Sequence, residues 1–456
     1  MRYDASVDEE AGPRDDDAAV QGYPPASRAW ASTALMTLLF AMAYLDRQIV
    51  SLMVEPISTE FGVGDFEISL LQGFAFALLF AVCGLPLGQA VDRYKRRYII
   101  LGGVMIWSIA AMSCGLAQNF EQLLFARMLV GAGEAALAPA CYSLLADLFP
   151  RRKLTFAIAV FMLGALLGAE LSLAIGGTIL ELAKDGVDLP LLGPTAGWRF
   201  AFIVTGLPGI FMAFLALFIY EPARPKIAQT QHRGWGEVYD FIRARKLFFF
   251  VQILGFSVVM ALVYARLAWT PTFMMRSFGW SVSETSYALS TYGFIVGACC
   301  LLLGGRVVDH LFQKGMHDAH FRYYVVGGVV LALLGSAAYL SSSPSGYFLA
   351  MALPSFPLAM GAIGASAIQM VTPAPLRGRV SAVYLFAVSI IGMSAGPAIV
   401  GYMTDHWFGD PAAIGMSLAL TFGACGTIVT IIFLCGLRAM RAAVGEAEAA
   451  GASASH

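Results

Sequence analysis

Residues Gly88 to Tyr98 read GQAVDRYKRRY, a compact basic turn set between two long apolar runs, Phe66–Val91 and Tyr98–Ala117. A shorter version, GGRVVDH, spans Gly304 to His310. Gly88 and Asp92 recur there as Gly305 and Asp309, 217 residues on. A second set agrees: Pro150, Arg152, Ala157 and Gly176 recur as Pro375, Arg377, Ala382 and Gly401, 225 residues on. Matching residues at matching places in two stretches of similar length describe one structural unit used twice. Repeats of this kind place a solute site between the halves, near the middle of a bilayer.

The rest of the chain gives each unit its content. Of the 456 residues, 58% are hydrophobic and 13% charged, about half the charged share of a soluble domain. A span of the hydrocarbon core takes about 20 mostly apolar residues. Twelve runs qualify: Ala29–Glu55, Phe66–Val91, Tyr98–Ala117, Glu121–Phe149, Leu154–Glu181 and Trp198–Tyr220, then Leu247–Met275, Val282–Val308, Tyr323–Leu340, Ser345–Val371, Val380–Asp405 and Pro411–Leu437. Each is helical, because backbone facing lipid must satisfy its own hydrogen bonds. The expected fold is an all-α membrane protein with twelve transmembrane helices in two six-helix pseudo-symmetric halves.

Basic residues orient the bundle. With both termini and the even-numbered junctions in the cytoplasm, 23 of the 29 Lys and Arg lie inside, 3 lie outside (Lys184, Arg199, Arg276) and 3 lie within helices (Arg47, Arg127, Arg266). That bias follows the positive-inside rule. The chain divides into a disordered cytoplasmic tail (1–28), a first half (29–220), a cytoplasmic linker (221–246), a second half (247–439) and a second cytoplasmic tail (440–456). In the linker, Trp235, Val238, Tyr239 and Ile242 recur at helical spacing among charged residues. Either a short surface helix or a plain polar linker suits them.

The turn Gly88–Tyr98 resembles the signature loop of the major facilitator superfamily. YLDR (Tyr44 to Arg47), RMLVGAGEAALAPA (Arg127 to Ala140), WRFAFIVTGLPGI from Trp198 and PLRGRVSAVYLF from Pro375 resemble its Spinster branch. Members of that branch move lysophospholipids or sphingolipid phosphates. The first two motifs also resemble organic-anion symporters of the same superfamily. The resemblance spans residues 30 to 437 and implies a major facilitator fold. It also implies that Gly88, Asp92, Arg93, Arg96 and Asp309 form a cytoplasmic gate locking the halves together when the carrier faces outward.

Charges inside the spans mark the expected chemistry. Asp46, Arg47, Arg127, Glu134 and Glu170 lie within helices 1, 4 and 5. At the bilayer centre such groups cost at least about 2.5 to 3.5 kcal/mol each, so they face a cavity or each other. Arg127 and Glu134 stand seven residues apart on one helix face, about 10 Å along the axis, too far for a direct pair. Each can instead meet Asp46 or Arg47. Asp46 and Glu134 are the candidate proton-coupling carboxylates, since low dielectric favours the protonated acid and a neighbouring Arg opposes it. A static ion network that fixes helix packing is the alternative. Arg47 and Arg127 can grip an anion through parallel hydrogen bonds. Arg266, Glu170, Tyr44, Tyr264 and Gln369 complete the candidate substrate site. A charged first half facing a mostly apolar second half suits an amphiphile.

Other classes find no support in the residues. GAGEAA (Gly131 to Ala136) lies inside an apolar helix with no preceding strand, which excludes a dinucleotide fingerprint. No Gly-Lys dipeptide and hence no P-loop occurs. The seven cysteines show no metal-ligand or redox spacing. No cofactor, metal, enzymatic reaction or nucleic-acid partner is expected. The reading is a monomeric, proton-coupled, alternating-access carrier in a bacterial inner membrane. Its expected substrate is a lysolipid or sphingoid phosphate. A small organic anion symporter and an uncoupled uniporter stand as alternatives.

Overall fold

The structure, a computed structural model, describes residues 23–190, 193–222, 235–359, 361–373 and 376–453. Twelve long helical segments make up nearly all of it. The first half holds α1 (Ala26–Leu52), α2 (65–93), α3 (Arg96–Leu116), α4 (Phe120–Leu148), α5 (Arg151–Leu182) and α6 (Gly197–Phe218). The second holds α7 (Lys246–Phe278), α8 (Val282–Gln313), α9 (Ala319–Tyr339), α10 (344–371), α11 (Arg377–Phe408) and α12 (Ile414–Ser453). Ten of these are long and apolar enough by themselves to cross a membrane among the described residues; α8 and α10 complete the set. With an even number of spans both termini lie on one face, called here the terminal face. The opposite face is the far face.

Two helices break beside a proline. Pro139 has no N–H to offer the Ala135 carbonyl, and α4 interrupts at residues 135–136, directly after Glu134. Pro354 stands at the interruption between Ala352 and Ser355 in α10. Pro86 runs through α2 without a break. Near its far end α1 tightens into a 3₁₀ turn over Ile49–Leu52, immediately after the buried charges.

Packing repeats between the halves. Helix α1 lies along α5 as α7 lies along α11, and α3 lies along α6 as α9 lies along α12. Small residues set the first two contacts. A Cβ at Gly168 would strike the Ala41 backbone carbonyl, and one at Gly396 would strike that of Ala261. Gly164, four residues earlier, makes the same approach to the Thr37 carbonyl one turn away, while Gly392 lies against the Met260 Cβ. Across the seam, α5 meets α8 and α2 meets α11.

The core reports the conformation. At the far face one apolar cluster draws on both halves, including Ile49, Trp198, Trp269, Phe273 and Tyr339. Toward the terminal face it divides. One cluster there belongs almost wholly to the first half, around Trp107, Leu144 and Phe161, and the other to the second, around Phe248, Tyr324 and Phe433. The halves are therefore joined at the far face and part toward the terminal face.

Two boundaries differ from the sequence reading. Helix α1 starts at Ala26, inside the segment assigned to a tail; residues 1–22 lie outside the described set. Helix α12 runs on to Ser453 through the segment assigned to the second tail, held where Arg245 reaches Glu446 at 2.8 Å and Arg441 reaches buried Asp318 at 3.2 Å. Residues Trp235–Ala244 form a helix that buries Val238 and turns Tyr239 outward. The surface-helix alternative thus describes that part of the linker, while 223–234 lie outside the described residues.

Candidate functional site

Four charges from α1 and α4 meet at mid-span. Arg47 Nη2 donates to Glu134 Oε2 at 2.5 Å, with the carboxylate side chain 1% exposed and the guanidinium 14%. Three rings surround that guanidinium: Tyr44 at 4.7 Å, Phe76 at 4.3 Å and Phe80 at 5.5 Å from the ring centroids. Cation–π attraction strengthens when such a cation is desolvated. Tyr264 of α7 approaches Arg47 from the other half, and Gln48 Nε2 donates to the Leu267 carbonyl at 2.9 Å. The Arg47 pair therefore stands at the seam.

Behind it lies a deeper pair with unfinished bonding. Arg127 is fully buried and donates from Nη1 to the Asp46 main-chain carbonyl at 3.2 Å. Among the described residues its Nε and Nη2 have no hydrogen-bond partner, and neither does either carboxylate oxygen of Asp46. Thr205 of α6 faces Asp46, but its hydroxyl donates to the Ala201 carbonyl at 3.0 Å. The four groups cancel in formal charge, yet only one of the two carboxylates is engaged. An unpartnered buried polar group is costly, and a charged one more so. Ser172 Oγ of α5 ties the Leu45 carbonyl at 2.7 Å and fixes the α1 backbone beside these residues.

Glu170 and Arg266 belong to a second, separate cluster. Arg266 of α7 lies among Tyr292, Tyr339 and Tyr347, with Glu170 of α5 the carboxylate in its field. The Glu170 carboxylate lies over Gly293 of α8, in space that a side chain there would fill. Tyr339 bonds Thr270 at 2.8 Å and Tyr292 bonds Ser355 at 3.2 Å, while the Tyr347 hydroxyl has no hydrogen-bond partner. Gln369 is brought to neither cluster. It is exposed near the terminal end of α10, and its Nε2 donates to Ser381 of α11 at 3.1 Å.

The signature turn lies at the terminal face. Gly88 faces open space and Arg93 is exposed. Asp92 and Asp309 occupy the ends of α2 and α8, and their side chains lie outside the described residues. With the terminal face parted, Arg96 turns into its own half. It is fully buried within the first half, bonded to Asp147 at 2.5 Å, Glu221 at 2.9 Å and both oxygens of Ser143 at 3.0 Å. Those partners close its side chain around α3, α4 and the exit of α6, so it clamps one half rather than bridging two.

The far face carries a latch that sequence reading missed. Arg276 at the end of α7 forks onto Asp65 at the start of α2, at 2.6 and 2.9 Å, and reaches Glu55 at 2.6 Å. Asp405 of α11 accepts from the Phe66 amide at 2.6 Å. All these contacts join the two halves. The one hint in the chain was that Arg276 belongs to the three cations expected outside.

A bundle of two matched six-helix halves, joined at one face and carrying buried charge between them, has a family. Residues 36–397 match the Major Facilitator Superfamily model. The chain belongs to that superfamily. This transporter is 28% identical over 435 residues to an MFS-type efflux pump of Mycolicibacterium smegmatis, covering 92% of this chain and 96% of the relative. It is 24% identical to a D-galactonate transporter of Escherichia coli, covering 91% and 98%. In fold it is similar to the crystal structure of a bacterial homologue of the human lysosomal transporter Spinster, inward-facing and unoccupied. The TM-score is 0.76 at 23% identity, over 92% of this chain and 98% of that one. The transporter is thus a carrier and not an enzyme.

Proposed function

We propose that this transporter is a proton-coupled, alternating-access carrier of an amphiphilic anion, with Asp46 and Glu134 exchanging protons and Arg47 meeting the anion. Both termini lie in the cytoplasm, as the distribution of Lys and Arg favours. The observation that carries the reading is the buried Asp46 carboxylate without a hydrogen-bond partner, beside an Arg127 with two free nitrogens. A proton on Asp46 relieves an isolated buried charge, and its loss gives Arg127 a counter-ion. Glu134 already holds Arg47. An incoming anionic headgroup competes for that guanidinium, and the displaced Glu134 then takes up a proton. Substrate and proton are thereby linked through one ion pair.

An acyl chain has room in the second half. An apolar groove of about 490 Å³ opens on α8, lined by Tyr287, Tyr292, Ile295, Val296 and Phe348. Tyr292 connects it to the cluster around Arg266. A lysolipid or sphingoid phosphate combines the required head and tail. A second reading, a small organic anion, is favoured by the likeness to a galactonate transporter along nearly the whole chain.

The test is uptake into proteoliposomes under a pH gradient, comparing wild type with Asp46→Asn and Glu134→Gln. A fluorescent lysolipid and radiolabelled galactonate are offered in parallel. Gradient-driven lysolipid uptake, lost in either variant while binding persists, supports the reading. Uptake of galactonate alone selects the second reading. Uptake that ignores the gradient in wild type makes the carrier a uniporter and the carboxylates structural.

A further inference from the structure

A cavity of about 760 Å³ opens at the terminal face of the first half, between the start of α1, the α2–α3 turn and the exit of α6. Four cations line it: Arg28, Arg93, Lys95 and Arg97. None makes an ion pair among the described residues. The one carboxylate in the lining, Glu221, is already committed, with Oε1 accepting from Arg96 at 2.9 Å and Oε2 from the Arg97 amide at 3.0 Å. Arg97 Nε is buried without a hydrogen-bond partner. Arg28 lies 5.7 Å from the centre of the Tyr220 ring. The cavity is an open pocket in which four cations face one carboxylate whose two oxygens are already bonded.

Its position selects the source of an anion. The helices α1, α3 and α6 all begin or end within a few residues of it, so it lies at the level where spans leave the hydrocarbon. Its wall includes Phe218, 77% exposed and apolar, and Tyr94, 67% exposed, a side chain of the type that settles at a membrane–water interface. Basic pockets between spans on the cytoplasmic side are suited to anionic headgroups. We infer that this cavity binds the phosphodiester of an anionic phospholipid, with Arg28, Lys95 and Arg97 as ligands and Phe218 and Tyr94 against the upper acyl chains. This site is distinct from the Arg47 cluster, and the inference holds whatever the transported solute is.

Native mass spectrometry of purified full-length protein tests it. Delipidated wild type is titrated with phosphatidylglycerol and, separately, phosphatidylcholine. The expected result is a preference for phosphatidylglycerol of at least about tenfold. That preference should fall to near unity in Arg28→Gln/Lys95→Gln/Arg97→Gln and persist in Arg438→Gln, a control on α12. Monodisperse elution of the triple variant shows that it folds. Equal retention by wild type and triple variant overturns the inference. So does displacement of the lipid by equimolar glycerol phosphate, which would assign the cavity to a soluble phosphate. A third overturning result is a preference absent from wild type but gained by Asp15→Asn/Asp16→Asn/Asp17→Asn, which would assign the cations to the chain's own acidic segment.

Discussion

Replacing Arg276 with Ala should release the far face. Its guanidinium forks onto Asp65 at 2.6 and 2.9 Å, and the Asp65 side chain is 3% exposed. Removing one partner of a fully buried pair costs about 3 to 5 kcal/mol. Here the guanidinium is 12% exposed and its other partner, Glu55, is 48% exposed, so that arm adds little. A discounted figure of about 2 kcal/mol remains, nearly all of it lost from the conformation in which the far face is closed. This corresponds to a rise of about 30-fold in the population with the far face open. Hydrogen exchange provides the assay, because the Phe66 amide is bonded to Asp405 across the same seam. Exchange in peptides covering residues 63–68 should accelerate by about the same factor if opening is fast relative to exchange. Glu60→Gln serves as control. It disturbs the bonds of Trp198 and Arg199 to Glu60, at 2.6 and 2.6 Å, which join parts of one half. Unchanged protection at 63–68 in Arg276→Ala, or equal acceleration in both variants, would refute the latch.

Other expectations follow from packing. Arg96→Met should lower thermal stability in detergent by about 2 kcal/mol, since it strands Glu221, 11% exposed, while Asp147, 40% exposed, adds little; a melting curve within error of wild type would contradict the clamp. Gly396→Val should abolish monodisperse expression by driving a side chain into the Ala261 backbone, whereas Gly88→Ala, with open space around it, should elute like wild type. Pro139→Ala should restore the missing helix hydrogen bond and straighten α4 after Glu134. Uptake should fall severalfold with the melting temperature retained or raised, and an unchanged rate would show that the break does not position Glu134.

The sequence carried the fold because a bilayer leaves few options: apolar runs of the right length become helices, and the recurrence of Gly88 and Asp92 revealed the second half. It also brought helix 1 and helix 4 charges together but left open which would pair; the structure joins Arg47 to Glu134. Facing was harder to read. Glu170 was grouped with the first cluster by sequence, but its position on α5 turns it across the seam toward Gly293 and Arg266. Gln369 looked like a cavity group because it is polar in an apolar run; it lies near a helix end and bonds Ser381 instead. Arg96, one of four cations in a single turn, gave no sign of which way each would point. The Arg276 latch was hidden for a related reason. Its partners lie 211 and 221 residues away in the chain, and loop ends carry no periodicity to align them.

The matched glycine contacts also govern where movement can occur. At Gly168 and Gly396 backbone lies directly on backbone, a joint with no side chain to slide or rearrange. Helices α1 and α5 therefore tilt as one beam, as do α7 and α11. Because α5 borders α8, any change of angle at that border is delivered rigidly to α1, where Ser172 already pins Leu45. The carboxylate of Asp46, one residue further, is carried at the end of that beam. Opening the molecule and altering the surroundings of this acid are then a single mechanical event.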